Sequence, residues 1–87
     1  PDPQIFLVAA EKIGVKPGDC VVVEDALNGI VAAQKAGMAT IAVLHDHNDA
    51  GEFKGKADLV VERLSNLSLS GIGGLFNAKN KKLKKRL

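Results

Sequence analysis

The sequence predicts an α/β fold, a partial Rossmann-like parallel sheet with flanking helices. Three observations carry that prediction. Cys20 to Val23 is an unbroken apolar run, the pattern of a strand buried on both faces of a parallel sheet. Residues 39–44 (ATIAVL) read as a second buried strand. Between them, residues 26–36 (ALNGIVAAQKA) have the length and spacing of a helix of about three turns. A strand, a helix and a strand form a βαβ unit, whose crossover should be right-handed.

The elements follow in order. Residues 4–13 (QIFLVAAEKI) place Ile5, Leu7, Val8, Ala9 and Ile13 near helical spacing. Pro3 suits the start of that helix and Gly14 its end. Val15 to Asp19 (VKPGD) is a turn by composition. The first strand spans 20–24. Asp25 is placed to cap the helix over 26–36, and Gly37 to end it. Leu27, Ile30, Val31 and Ala33 give that helix an apolar face. His45 to Lys56 (HDHNDAGEFKGK) reads as a polar loop, and Asp58 to Val61 (DLVV) as a short third strand. Short helices are expected around Leu64 to Leu69 and near Ile72 to Phe76. The GIGG run, Gly71 to Gly74, lacks phosphate-loop spacing and reads as loop.

Composition bounds the function. With 87 residues the chain is one small domain. Aromatic residues make up 3%, so the core must be aliphatic. No apolar stretch approaches the roughly 18 residues of a membrane span, and no signal-peptide pattern opens the chain. No membrane partner is expected. Cys20 is the single cysteine, which rules out an internal disulfide and points to a reducing, cytoplasmic setting.

The net charge of +2 hides an asymmetry. Residues 1–78 carry six basic residues against ten acids, a net −4. Lys79, Lys81, Lys82, Lys84, Lys85 and Arg86 supply the other six cations. We therefore divide the chain into a body, 1–76, and a basic, disordered tail, 77–87. The tail has no interleaved aromatic for base stacking, so nucleic acid is not an expected partner.

The residues that point to chemistry are Glu24 and Asp25. A buried strand has no structural need for two adjacent acids at its carboxyl end. Open α/β sheets bind ligands just outside that end, and a pair of carboxylates there suits a hard cation such as Mg²⁺. His45 and His47 stand two apart in a polar loop, without strict ligand spacing. Cys20 reads as a small core residue.

The stretch PDPQIFLVAAEKIGVKPGDCVVVEDALNGIVAAQKAGMATIAV resembles the haloacid dehalogenase (HAD) superfamily, in its phosphatase and β-phosphoglucomutase-like branch. The resemblance rests on Pro1, Pro3, Phe6, Glu24, Asp25, Gly29, Ile30, Ala32, Ala33, Ala36, Gly37 and Met38, in order and spacing, over about residues 1–61. It implies a nucleophilic aspartate that forms an aspartyl-phosphate, and a second aspartate as general acid and base. It also implies a Ser or Thr and a Lys that hold the phosphoryl oxygens, and a Mg²⁺ on the nucleophile and a later acidic motif. Covalent catalysis of this kind splits one hard transfer into two easier steps.

Only the later acidic motif maps onto this chain. The resemblance makes Asp25 a direct Mg²⁺ ligand, and Glu24 a ligand directly or through water. No Asp-x-Asp-x-Thr occurs in the sequence. The resemblance thus implies the carboxyl-terminal half of a HAD core domain, cut just after the family's lysine and inactive alone. The complete enzyme would act on a small phosphorylated substrate, such as a sugar phosphate. The missing nucleophile strand would leave a sheet edge open to self-association. The alternative is a non-catalytic binding or regulatory half that pairs with a separate chain.

Overall fold

The computed structural model describes residues 1–44, 50–68 and 70–74. Helix α1 spans Gln4–Ile13, right after Pro3. Asp2 Oδ1 accepts the Gln4 N–H at 2.9 Å, which satisfies one donor of the first turn. The helix stops at Gly14, whose φ of +71° is left-handed. There the Val15 N–H reaches the Ala10 carbonyl at 3.0 Å. A 3₁₀ turn, Pro17–Asp19, leads into strand β1, Val21–Glu24.

Helix α2 spans Leu27–Lys35 and strand β2 Ala39–Val43. They are joined at Gly37, φ +81°. The Gly37 N–H bonds the Gln34 carbonyl at 3.0 Å and the Met38 N–H the Ala33 carbonyl at 3.1 Å, a Schellman closure. A short helix α3, Ala50–Phe53, precedes strand β3, Leu59–Val61. A 3₁₀ turn at Leu64–Asn66 and a helical segment over 70–74 follow.

The strands form one sheet in the order β1-β2-β3, all parallel. The register pairs Val22 with Thr40, Glu24 with Ala42, and Ala42 with Val60. Because side chains alternate along a strand, Val22, Glu24, Thr40, Ala42 and Val60 share one face. Two core clusters lie on that face, while Ala39 and Ile41 of the opposite face are also fully buried. One cluster joins Ala10 of α1 to Ala33 and Ala36 beside Met38, with Phe6, Leu7, Cys20 and Val22 packed on it. The other joins Ile30 of α2 to Ala42 and Phe53, with Leu27, Leu44, Ala57 and Val60 around them. Alanines at 33, 36 and 42 let helix and sheet approach closely.

The predicted α/β architecture is thus present, with three amendments. β1 is half-buried rather than buried on both faces, because it lies at the edge of the described sheet; Val23 keeps 41% of its surface exposed. The loop expected over 45–56 contains α3, because one aromatic, Phe53, is drawn to 0% exposure between Ile30 and Ala42. The GIGG run is helical where a loop was expected. Leu69, Phe76 and the tail 77–87 lie outside the described residues.

Candidate metal centre

The geometry of the acidic pair follows from strand alternation. Val22 points onto α2, so Glu24, two residues on, points to the same side. Val23 and Val43 belong to the opposite face. At Glu24 the strand ends and the backbone turns through Asp25 and Ala26 into α2.

The Glu24 side chain folds back on this turn. Its Oε1 accepts the Asp25 N–H at 3.2 Å and the Ala26 N–H at 3.3 Å. The cap residue of α2 is Ala26, extended at φ −118° and ψ 139°, with no side-chain cap bond of its own. The expectation that Asp25 caps the helix is corrected accordingly. Asp25 stands one residue too early, and the carboxylate that accepts the turn's amide protons belongs to Glu24.

Behind the Glu24 carboxylate lies Gly29, the third residue of α2. A Cβ built at Gly29 would collide with Cγ and Cδ of Glu24 and stand 2.7 Å from its Oε2. The chain therefore places a glycine where Glu24 must lie against the helix backbone. Sequence reasoning named Gly29 only as part of a pattern and missed this contact. The available signal was a glycine inside a short helix, where it is intrinsically unfavourable.

Glu24 and Asp25 form the acidic rim of an open groove of about 270 Å³ at the carboxyl ends of β1 and β2, lined by Val23, Glu24, Asp25 and Val43. Asp25 is exposed and Glu24 half-buried. Among the described residues no group of three or more His, Cys, Asp and Glu gathers into a metal cage. Among the described residues the donor set is a pair of carboxylates on the rim of this groove. That fits Mg²⁺, which binds through one or two carboxylates and keeps its other positions for water and phosphate oxygens.

The other candidates separate from this site. His45 and His47 lie outside the described residues. Cys20 is half-buried, its thiol 3.4 Å from the Lys16 carbonyl, and it packs on the α1–α2 cluster. Among the described residues no helix is long and apolar enough to cross a membrane.

Comparison with known proteins shows the family. The HAD-hydrolase-like family matches residues 1–67. A haloacid dehalogenase-like hydrolase domain-containing protein of Arabidopsis thaliana is 41% identical over 76 residues, 87% of this chain and 24% of its own length. A β-phosphoglucomutase of Bacillus subtilis is 45% identical over 69 residues, 79% of this chain and 28% of its own. The crystal structure of a β-phosphoglucomutase from Clostridium difficile superposes with a TM-score of 0.79 at 34% identity, over 91% of this chain and 33% of that one. The chain spans about a quarter of the length of the two sequence relatives it matches.

Proposed function

The chain belongs to the HAD-like hydrolase family, and from that premise we propose that Glu24 and Asp25 are the Mg²⁺-binding acidic pair of a phosphatase or phosphomutase. Its substrate is a small phosphorylated metabolite, and likeness to β-phosphoglucomutase favours a sugar phosphate. The observation that carries this reading is the position of the pair. Two adjacent carboxylates end a parallel strand on the rim of an open groove, where α/β sheets receive ligands.

In this reading Asp25, exposed and next to the groove, is a direct ligand, and Glu24 a ligand directly or through water. Bound Mg²⁺ would offset the negative charge of a phosphoryl group and hold it in register with a nucleophile. The 87 residues contain no Asp-x-Asp-x-Thr. The nucleophile therefore comes from another part of the polypeptide or from another chain, and residues 1–87 alone are inactive. A reducing, cytoplasmic setting belongs to the same proposal, since Cys20 is a free thiol.

The test is Asp25→Ala in the protein expressed from its full open reading frame. Mg²⁺-dependent release of phosphate from a panel of sugar phosphates should fall at least 100-fold. Activity that survives the substitution would refute the assignment of the metal site.

A further inference from the structure

We propose that Gly29 is a positioning residue for the acidic pair. Its bare backbone is the seat on which the Glu24 carboxylate rests, and through Glu24 it fixes the turn that presents Asp25. The proposal rests on the Mg²⁺ reading above and adds a residue to it.

The first argument is conformational. Glycine is favoured where the backbone is left-handed, and in this chain the glycines with positive φ are Gly14, Gly37 and Gly55 among the described residues. Gly29 is not one of them. It sits inside α2 with an ordinary helical backbone, where alanine is intrinsically better. Backbone conformation gives no reason for a glycine there.

The second argument is steric. Gly18, Gly73 and Gly74 have open space where a Cβ would be, whereas at Gly29 the Cβ meets Glu24 at Cγ, Cδ and Oε2. The colliding atoms include the middle of the side chain. A small swing of the carboxylate cannot relieve the overlap, and Glu24 would have to leave its rotamer. Leaving it breaks both hydrogen bonds from Oε1, to the N–H groups of Asp25 and Ala26. Those bonds span the turn that sets the direction of Asp25. A methyl group at position 29 is therefore transmitted to the metal-binding carboxylates with no contact of its own to the metal.

The test uses the protein from its full open reading frame, with Mg²⁺ affinity measured by titration calorimetry and thermal unfolding measured in EDTA. Gly29→Ala should weaken Mg²⁺ binding about tenfold or more without lowering the metal-free melting temperature, because alanine's better helix propensity offsets the loss of two long, exposed hydrogen bonds. Glu24→Ala should weaken binding comparably. The double variant Glu24→Ala/Gly29→Ala should bind no worse than Glu24→Ala alone, because the two residues act through one contact. Asp25→Asn serves as the reference. If it binds Mg²⁺ like the parent, the metal reading falls and the proposal with it. If Asp25→Asn loses binding while Gly29→Ala keeps it, or if the double variant is additive, the proposal alone is overturned. Should Gly29→Ala not fold, the double variant, which lacks the colliding atoms, must fold. Its failure would also overturn the seat.

Discussion

Thr40 and Asp58 hold β2 and the start of β3 together by a reciprocal set of hydrogen bonds. Asp58 Oδ2 accepts the Thr40 N–H at 2.8 Å and the Thr40 hydroxyl at 3.2 Å, while the Asp58 N–H donates to Thr40 Oγ1 at 3.0 Å. Thr40 is fully buried, at 0% exposure. A buried hydroxyl without a partner costs about 1–3 kcal/mol, and bonds to a charged acceptor contribute more than neutral ones. Asp58→Ala removes the acceptor of two donors at once and should destabilise by about 2–4 kcal/mol on the same scale. Thr40→Val removes the hydroxyl and should cost less, about 1–2 kcal/mol. Urea unfolding of the two variants checks the order. Equal losses would mean that the carboxylate does not organise the pair.

The same pair shows where the sequence is opaque. Residues 39–44 read correctly as a buried strand, since five of the six are apolar. Nothing in that run says that its one hydroxyl has a carboxylate partner 18 positions away. The parallel βαβ unit was legible for a local reason: Val21 to Val23 and the Ala-rich helix each carry their own period. Helix α3 was not legible, because a single phenylalanine among charged residues decides it through a distant contact with Ile30 and Ala42. At the candidate metal centre the acidic pair could be read from its place after an apolar run. The turn geometry could not. Which carboxylate bonds the amide protons depends on the direction Glu24 takes out of the strand and on the gap left by Gly29.

Phe53 ties α3 to the body of the domain. It is fully buried against Ile30 and Ala42, so its removal leaves a void that small neighbours cannot fill. Phe53→Ala should destabilise by about 3–5 kcal/mol. A small domain has only about 5–15 kcal/mol in total. The variant should therefore melt far below the parent, or unfold at 37 °C, in a circular-dichroism melt. Phe53→Leu, which keeps most of the volume, should recover over half of the loss. A melting temperature unchanged by Phe53→Ala would place Phe53 outside the core.

Two glycines in α2 and at its end should respond oppositely to alanine. Gly37 sits at φ +81°, where a Cβ meets only Pro17 at 4.0 Å. Its constraint is conformational, and Gly37→Ala should cost about 1–2 kcal/mol of stability. It is remote from the Glu24 contact and should leave Mg²⁺ affinity unchanged. Gly29→Ala is expected to do the reverse. Comparing melting temperature with Mg²⁺ affinity for both variants separates a glycine kept for backbone angle from one kept for room. A loss of affinity in Gly37→Ala would show that the helix end, too, governs the acidic pair.

The isolated chain should self-associate through the side of the sheet beyond β1. β1 pairs with β2 on one flank, and among the described strands it has no neighbour on the other. Beside that edge runs an apolar groove of about 140 Å³, lined by Phe6, Ala9, Ala10, Ile13, Cys20, Val21, Val22 and Met38. Ile13 and Ile5 of α1 are 69% and 73% exposed. An unpaired strand edge with exposed aliphatic residues beside it is a template for association. Ile5→Glu with Ile13→Lys is the appropriate test. The pair leaves net charge unchanged and puts each new charge at the helix end that favours its sign. Sedimentation velocity of the 87-residue chain should show oligomers at tens of micromolar, and the double variant should shift the distribution toward monomer while keeping its helical signal. A parent chain that sediments as a monomer at that concentration would mean that this edge is already protected, and the variant would then change nothing.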